Sequence, residues 1–437
     1  MIECFVLAGG QSRRFGEDKL LYEIGDKRTI EHTVETLKKV CDRVCVVVKD
    51  VDKFSFLEGV EFIKDLLAKQ YAIAGLYTAL KNLYSEKALV ISGDMPLIKE
   101  EVIRHLWFNS SPPITLYKVM NWIYKRLEDD FQKMTDLSKG HRELLSKHFK
   151  IHSLEPIDKV VAKDSIKYLF RTFDGHIIET VLIFERDHFT LCLSSQIGCA
   201  VGCKFCATAR DGLLRNLSTA EIIDQFLWVQ KDTSQRIRNV VFMGMGEPLA
   251  NYEAVRKAVE ILISPWGIDL SKRRVSVSTS GLISQIRKMS QDPMMREINI
   301  AVSINAPNQR IREDLMPISK TNTLEDLIKT LVDFPYPPDR RIMLEYVIIK
   351  DVNDSIEDAH RLAQMLSPYR RKFKINLIPY NPDPSLPFER PSLEKVYAFQ
   401  EILRRHNLSV FVRLSKGVDV FGACGQLRSK RIQLMLK

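Results

Sequence analysis

The chain has 437 residues and a mass of 50.4 kDa, which exceeds one ordinary domain, so two or three domains are expected. With 45% hydrophobic and 27% charged residues the composition is that of a globular protein, and no run approaches the roughly 18 apolar residues of a membrane span. The net charge of +10 comes from the part after residue 117. This basic part either binds a polyanionic partner such as nucleic acid or has a merely basic surface, and charge alone does not distinguish the two.

The first segment alternates short apolar strands with amphipathic helices, the pattern of an α/β domain with a doubly wound parallel sheet. No basic leader precedes the apolar residues that open the chain, so we expect no signal peptide and a cytoplasmic location. Strands are predicted at 3–7, 43–48, 60–63 and 88–92, and helices at 30–40 and 72–84. Serines and prolines at 109–113 indicate a junction between a first domain at 1–116 and a second at 117–437.

A glycine-rich loop with basic residues follows the first predicted strand. Adjacent glycines let the backbone approach a phosphate, and Lys19 supplies positive charge. Asp94, at the end of a later strand, is suited to hold Mg²⁺ against phosphates. Over about residues 1–107 this combination resembles the MobA family of molybdenum cofactor guanylyltransferases. The resemblance implies a GTP site formed by Leu7, Ala8, Gly9, Lys19, Asp65 and Asp94, with Mg²⁺ on Asp94.

The first domain departs from that family in one respect, because the half that grips the pterin substrate is absent. Two interpretations therefore stay open. The domain is either a working GTP-binding site or a relic that serves as a folding or docking module. Complete guanylyl transfer is not expected from it.

The second part begins with a small helical accessory region at 117–165, with helices predicted over 116–131 and 142–149. An antiparallel section follows from 166 to 195, with a turn at Asp174-Gly175. Six β/α units then predict a partial (β/α)6 barrel within 166–406, with chemistry at the carboxyl ends of its strands, before a tail at 407–437. The strands are predicted at 189–195, 239–243, 274–278, 298–304, 341–347 and 374–379, and the helices at 219–231, 253–263, 282–291, 323–333, 355–367 and 392–406.

Three of the eight cysteines, Cys199, Cys203 and Cys206, form a C-x₃-C-x₂-C run just past an apolar strand. In a reducing compartment such a run indicates metal or redox chemistry. Tetrahedral zinc prefers four protein ligands, whereas three thiolates leave one iron of a [4Fe–4S] cluster open for S-adenosylmethionine (SAM). The spacing, with Phe205 before the last cysteine, resembles the radical SAM superfamily, and a zinc loop lacking its fourth ligand is the alternative. The cysteines of the first domain fall in apolar surroundings and are expected to be small core residues: Cys4, Cys41 and Cys45.

Polar residues follow successive barrel strands, where that superfamily binds SAM. The resemblance implies that Gly246 and Glu247 meet the methionine amine of the cofactor. The complete set of cofactor-binding residues implied in this way is Gly246, Glu247, Ser278, Ser303, Ile304, Asn305 and Asn381.

Three residues outside the cysteine run indicate which family within that superfamily the chain resembles. Cys192 lies before the run, Cys424 lies in a glycine-flanked tail, and Glu179 precedes Cys192 by thirteen residues. With the segments 243–249 and 273–281, they resemble the RlmN family of RNA methyltransferases, which modify C2 of adenine in 23S rRNA and tRNA. The resemblance covers about residues 118–437.

The resemblance implies a reaction that uses two SAM molecules. Cys424 takes a methyl group from one, and a radical made from the second removes a hydrogen atom from the resulting S-methylcysteine. The methylene carbon adds to C2 of adenine, and Glu179 takes the C2 proton. Cys192 then attacks the sulfur of Cys424, which releases the product and forms a transient disulfide. An electron donor such as flavodoxin or ferredoxin is implied as a partner.

Two features depart from the RlmN pattern: Asn305 stands where histidine is usual, and the RNA-binding head is shortened, since similarity begins near Tyr117. Three other functions are possible. The related Cfr enzymes methylate C8 with the same cysteines and cluster. A bifunctional molybdenum cofactor guanylyltransferase is disfavoured by the missing pterin half. A non-catalytic RNA-binding fusion is disfavoured because the catalytic and cluster cysteines are all retained.

Overall fold

In the computed structural model the chain divides into two compact units. One comprises Met1–Lys118 with Thr135–Leu144, and the other comprises Val119–Met134 with Leu145–Lys437. The structure describes residues 2–8, 18–66, 72–84, 88–93, 95–96, 98–101, 103, 116–233, 235–337 and 339–427. The domain junction predicted at 109–113 lies outside these residues, and the boundary at 116/117 stays a prediction.

The first unit contains the predicted parallel sheet. Its strands are β1 (Glu3–Leu7), β4 (Arg43–Val48), β5 (Glu61–Lys64) and β6 (Leu89–Ser92), besides a hairpin of β2 (Glu23–Ile24) and β3 (Lys27–Arg28). The spatial order is β5-β4-β1-β6, and each neighbouring pair is parallel. Helices α1 (Thr29–Lys38) and α2 (Ala72–Lys81) connect strands. Strand β1 lies between two partners, which agrees with its continuous apolar run.

Cys4 and Cys41 form a disulfide that was not predicted. Cys4 lies on β1 and Cys41 follows α1, and the Cα atoms of the pair are 6.1 Å apart. Both side chains pack in the apolar core as expected, and the strand and the helix end bring their sulfur atoms together. Cys45 is a free buried thiol, and burial raises its pKa to about 12.

The second unit is built on a ten-stranded sheet. An antiparallel edge consists of β7 (Glu155–Val161), β8 (Ser165–Arg171) and β9 (Ile177–Phe184). The parallel part consists of β10 (Phe189–Cys192), β13 (Ile237–Phe242), β14 (Val275–Thr279), β15 (Asn299–Ser303), β16 (Ile342–Ile348), β17 (Phe373–Pro379) and β18 (Val410–Val412). A separate pair is formed by β11 (Gln196–Gly198) and β12 (Leu213–Asn216). All six predicted barrel strands are present, and β18 is an addition at the edge.

Helices alternate with the parallel strands as predicted. In the described residues from 116 onward they are α3 (Leu116–Met120), α4 (Lys139–His148), α5 (Thr219–Asp232), α6 (Tyr252–Ile263), α7 (Ile283–Gln291), α8 (Gln309–Leu315), α9 (Leu324–Val332), α10 (Ile356–Leu366) and α11 (Leu393–Arg405). Helix α5 begins where it does because Ser218 and Glu221 form a capping box, each side chain bonding the other residue's backbone amide. Helix α8 was not predicted.

The helix predicted over 116–131 is too long. After α3 the chain makes a π-helical turn at Asn121–Lys125, and Leu127 then adopts a left-handed conformation with φ of 55°. A leucine in that region interrupts a right-handed helix. A 3₁₀ turn at Phe131–Lys133 follows, capped by the side chain of Asp130.

The parallel arrangement decides where a site can form in the second unit. Strands β10 and β13 to β18 run in one direction, so their carboxyl ends lie at the same edge of the sheet. The last residue of β10, Cys192, pairs with Val181 of β9 and with Val241 of β13. Within the residues that the structure describes, no helix is both long and apolar enough to cross a membrane.

Candidate active site

A cavity of about 170 Å³ opens at the carboxyl ends of strands β13 to β18. We call it the cluster-loop cavity, because the loop with the three clustered cysteines forms one wall. Ten predicted site residues line it: Cys199, Cys203, Cys206, Gly246, Glu247, Ser278, Ser303, Asn305, Asn381 and Cys424. Ile304 is fully buried and is absent from the lining.

The cysteine loop is held by the β11–β12 pair. The amide of Cys199 donates to the carbonyl of Gly212 at 2.9 Å. Gly198 has φ of 78°, and a Cβ there would lie 1.9 Å from the same carbonyl oxygen, so only glycine fits. Burial raises the pKa of Cys199 to about 12, and burial together with the neighbouring thiolates raises the pKa of Cys203 well above its usual value. A bound cation would remove that cost by stabilising the thiolates.

The donor set fits an iron–sulfur cluster better than a single ion. In the described part of the chain, no group of three or more His, Cys, Asp or Glu side chains converges so that it could hold one metal ion. Thiolates that each bind a different iron need only surround a common space, which these three cysteines do. Three thiolates also leave the fourth iron of a [4Fe–4S] cluster without a protein ligand.

Gly246 and Glu247 form a rigid wall after β13. The Glu247 amide donates to Oε1 of Gln196 at 2.8 Å, and its Oε2 accepts a bond of 2.6 Å from the Ser280 amide. Gly246 has φ of 100°, and a Cβ there would lie 2.5 Å from Cβ of Gln196. Burial raises the pKa of Glu247. Sequence reasoning missed Gln196, whose role depends on an approach between two loops.

Arg312 on α8 braces the ends of β14 and β15. This fully buried guanidinium donates to the carbonyl oxygens of Ser280, Ser303 and Ile304 and to Oγ of Ser319. Burial lowers its pKa to about 10. The charged run Arg312-Glu-Asp is typical of an exposed helix, so no sequence signal marked this residue.

Asn305, which stands where the RlmN pattern has histidine, uses its side chain within the protein. It has φ of 53°, a left-handed conformation that asparagine tolerates. Its Oδ1 accepts a 2.8 Å bond from the amide of Val347, and its Nδ2 lies 3.3 Å from the sulfur of Met316. Its carbonyl oxygen accepts a further bond from Asn353.

A buried carboxylate lines the same cavity on β16. Glu345 pairs in register with Ser303 of β15 and with Asn376 of β17. Burial raises its pKa, and Oε1 accepts a bond of 3.1 Å from Asn376. Among the described residues Oε2 has no hydrogen-bond partner, so the cavity offers this acceptor to a ligand.

A second cavity of about 270 Å³ contains Cys192, and we call it the Cys192 cavity. Cys424 lines both cavities and therefore lies in the wall between them, as do four other residues: Met243, Ile378, Arg413 and Leu427. The tail holds this position through Asn381, whose Nδ2 donates to the carbonyl of Cys424 at 3.1 Å, and through Gln426, which donates to Pro382.

Arg413 is the charged group of this shared wall. The negative charge of the Cys424 thiolate is the main reason that the pKa of Arg413 is raised. Burial raises the pKa of Cys192 to about 12, with Cys424 adding to the rise and Arg413 opposing it. Arg413 was not predicted, because nothing in its local sequence connects it with either cysteine.

Glu179 is not among the residues that line either cavity. It is a buried residue of β9, only 1% exposed, and its carboxylate lies 3.5 Å from Nζ of Lys167. Its carbonyl oxygen accepts a bond from Oγ of Ser194. The structure therefore does not bring the Glu179 side chain into the lining of either cavity.

In the first unit, predicted GTP-binding residues lie at one edge of the sheet. Leu7 ends β1, Ala8 follows it, and Asp65 follows β5, whose carboxyl end lies on the same side. Oδ1 of Asp65 accepts a 2.8 Å bond from the hydroxyl of Thr78. Lys19 lies in the turn before β2. The remaining two predicted residues are outside those that the structure describes: Gly9 and Asp94.

Known domain families match the chain in three places. The MobA-like NTP transferase domain matches residues 4–126. The N-terminal domain of ribosomal RNA large subunit methyltransferases matches residues 116–151, and the radical SAM superfamily matches residues 193–363.

Whole proteins are similar over about three quarters of the chain. The chain is 64% identical over 323 residues to a probable dual-specificity RNA methyltransferase RlmN of Aquifex aeolicus, covering 74% of this chain and 93% of that protein. It is 38% identical over 353 residues to the dual-specificity RNA methyltransferase RlmN of Nautilia profundicola, covering 77% and 98%. A crystal structure of a radical SAM methyltransferase from Sphaerobacter thermophilus superposes with a TM-score of 0.70 at 40% identity, covering 75% of this chain and 97% of that one.

Proposed function

Because the chain belongs to the RlmN family of radical SAM RNA methyltransferases, we propose that it methylates C2 of adenine in 23S rRNA and tRNA, with Cys424 as the methyl carrier. The family implies a [4Fe–4S] cluster and SAM as cofactors. One observation carries the proposal: Cys424 lies in the wall between the cluster-loop cavity and the Cys192 cavity. A methyl carrier must contact the cofactor first and the resolving thiol later, and a residue in this wall borders both cavities.

The chemistry explains why a cysteine carrier is needed. C2 of adenine is an electrophilic carbon, so it does not attack the methyl group of a sulfonium ion. The bound cluster supplies reductive cleavage of SAM, which activates the carried methyl group. Cys424 contributes the sulfur that receives the methyl group and keeps it bound while the carbon–carbon bond forms.

Cys192 is proposed as the resolving thiol. Its thiolate attacks the sulfur of Cys424 and a Cys192–Cys424 disulfide forms. The transferred carbon leaves with the electron pair of its bond to that sulfur and takes up a proton, which completes the methyl group on C2. The position of both cysteines on one cavity supports this role. The guanidinium of Arg413 borders the same cavity and favours the thiolate form of Cys192.

Glu179 is proposed as the base that takes the C2 proton, on the strength of the family pattern. Its carboxylate is buried and lies on β9, two residues from Val181, which pairs with Cys192. An external one-electron donor such as flavodoxin or ferredoxin is proposed to reduce the cluster. An external dithiol, which supplies two electrons and two protons, is proposed to reduce the disulfide and return both thiols for the next turnover.

Mass spectrometry of RNA nucleosides tests the proposal. RNA from a host with this gene should contain 2-methyladenosine, and RNA from the same host without it should lack that nucleoside. Separate digestion of purified 23S rRNA and tRNA identifies the substrates. A change in 8-methyladenosine instead would assign the Cfr-type reaction, and no change in either nucleoside would contradict methyl transfer to adenine.

The first unit has a MobA-like NTP transferase domain, and we propose that it binds GTP with Mg²⁺. The ends of β1 and β5 support this, because Leu7, Ala8 and Asp65 lie where open parallel sheets bind nucleotides. Calorimetry with GTP and Mg²⁺ tests the proposal, with ATP as the comparison nucleotide.

A further inference from the structure

We propose that Ala207 and Thr208 are positioning residues that tie the C-terminal tail to the cysteine loop, so that loading of the cluster fixes the place of Cys424. Only the role of Cys424 in this inference rests on the proposed function. The tie itself is a pair of contacts between two segments that are far apart in the chain.

Two short hydrogen bonds join the segments. The backbone amide of Ala207 donates to the carbonyl oxygen of Gly425 at 2.7 Å, and Oγ1 of Thr208 donates to the carbonyl oxygen of Leu427 at 2.6 Å. Ala207 is fully buried and Thr208 is 5% exposed, so water does not compete for these bonds. One acceptor belongs to the residue directly after Cys424.

The donors directly follow the third cysteine of the loop. Cys206 and Thr208 both line the cluster-loop cavity, and Ala207 stands between them in the chain. Thr208 therefore borders the space that the cluster would fill and contacts the tail through its hydroxyl. Binding of Cys206 to a cluster restrains the backbone that carries both donors, and the restraint passes to the tail through the two hydrogen bonds.

The other contacts of the tail show why the two hydrogen bonds to the cysteine loop matter. Asn381 holds the carbonyl of Cys424, whereas the segment before it closes on itself, with the amide of Gly422 donating to the carbonyl of Gly417 at 2.8 Å. Gly425 has φ of 84°, so the chain turns directly after Cys424. If the two bonds to the cysteine loop opened, Asn381 and Gln426 would still hold the residues next to Cys424, and Asp164 would still hold the amide of Gly417.

The alternative is that the tail packs on the barrel independently of the cluster. The two possibilities differ in how the tail responds to loading. Coupling requires that amides near Cys424 become better protected when the cluster is present. Independent packing requires equal protection with and without it.

Hydrogen exchange on the full-length protein tests the coupling under anaerobic conditions. Peptides covering 417–427 are compared before and after reconstitution, with cluster content measured by iron and sulfide analysis. We expect loading to slow exchange in the wild-type tail. Thr208→Val removes the hydroxyl and keeps the shape, and it should speed tail exchange in the loaded protein by about tenfold, the effect of one buried hydrogen bond.

Two further variants make the result decisive. Thr330→Val is the matched control, because Thr330 on α9 is buried and its Oγ1 has no hydrogen-bond partner among the described residues. Thr208→Ser keeps the hydroxyl and should therefore exchange as slowly as the wild-type tail. This variant still tests the hydrogen bond if Thr208→Val binds the cluster poorly. Equal wild-type tail exchange with and without the cluster, or equal behaviour of Thr208→Val and Thr330→Val, would overturn the inference. Absence of methylated RNA would contradict the proposed function and leave these exchange results unchanged.

Discussion

Cys192 and Cys424 line one cavity of about 270 Å³, although Cys192 ends strand β10 and Cys424 lies in the C-terminal tail. Cys424 borders the cluster-loop cavity as well, and Cys192 does not. The two cysteines are therefore not equivalent. A group attached to Cys424 can be reached from both cavities, whereas Cys192 can act only from one.

Substitution of each cysteine should give a different product. Cys192→Ala should accumulate RNA bound covalently through Cys424, because the carbon–carbon bond forms but no thiol releases it. Cys424→Ala should carry no RNA, because nothing accepts the methyl group. Denaturing gels of protein expressed in cells, with and without ribonuclease, measure the bound RNA.

The double variant Cys192→Ala/Cys424→Ala is the control, and it should also be free of RNA. Cys192→Ala protein without bound RNA would contradict the resolving role. RNA trapped on Cys424→Ala would show that another residue carries the methyl group.

The release step should accelerate with pH. Burial raises the pKa of Cys192 to about 12, so between pH 7 and 9 its thiolate fraction is small and rises about tenfold per pH unit. Decay of the transient protein–RNA adduct in single-turnover experiments should follow that slope. Arg413→Met removes the cation that lowers the Cys192 pKa, and we expect release to slow by about tenfold at pH 7. A release rate that does not change between pH 7 and 9 would argue against Cys192 as the attacking group.

The purified protein should bind one [4Fe–4S] cluster through Cys199, Cys203 and Cys206 after anaerobic reconstitution. Cys203→Ala should lose it, because the remaining two thiolates hold the cluster too weakly. Iron and sulfide analysis and the absorbance of the cluster measure the result. Cys45→Ala, in the other unit, is the control and should keep full cluster content. A Cys203→Ala protein with as much iron as wild type would refute this ligand set.

Gly246→Ala should destabilise the second unit by about 3 kcal/mol, since alanine is strained at φ of 100° and its Cβ would clash with Gln196. Gly175→Ala is the matched control. It has φ of 81° and open space around the added Cβ, so it should cost only about 1 kcal/mol of backbone strain. Urea unfolding of the two variants compares these costs, and equal losses would mean that the contact with Gln196 is unimportant.

The first unit should bind GTP weakly in the presence of Mg²⁺ and should not transfer GMP to molybdopterin. Lys19→Ala should weaken binding by about tenfold, because it removes a charge expected beside the phosphates. Calorimetry and a guanylylation assay give the two results. No heat of GTP binding would contradict the first expectation, and robust guanylylation would contradict the second.

Much of the fold could be predicted because it follows from local pattern. The apolar runs that became β1 and β4 matched their predicted bounds, and the six helices predicted for the barrel occur where the periodicity placed them, although α8 was missed. The main error in the second part, the helix over 116–131, came from a left-handed residue, Leu127, that periodicity does not reveal. A site whose residues are close together in the sequence could be predicted equally well, as the three-cysteine loop shows.

Local sequence was enough to predict the strand–helix alternation, the cysteine loop and the family pattern around Cys192 and Cys424, because each depends on neighbouring residues or on residue identity. It did not reveal which distant residues meet: the Cys4–Cys41 disulfide, the bonds from Arg312 to the ends of β14 and β15, and the place of Arg413 in the wall shared by the two cavities. Such contacts depend on how strands and loops from distant parts of the chain pack, and no periodicity or local spacing records that packing.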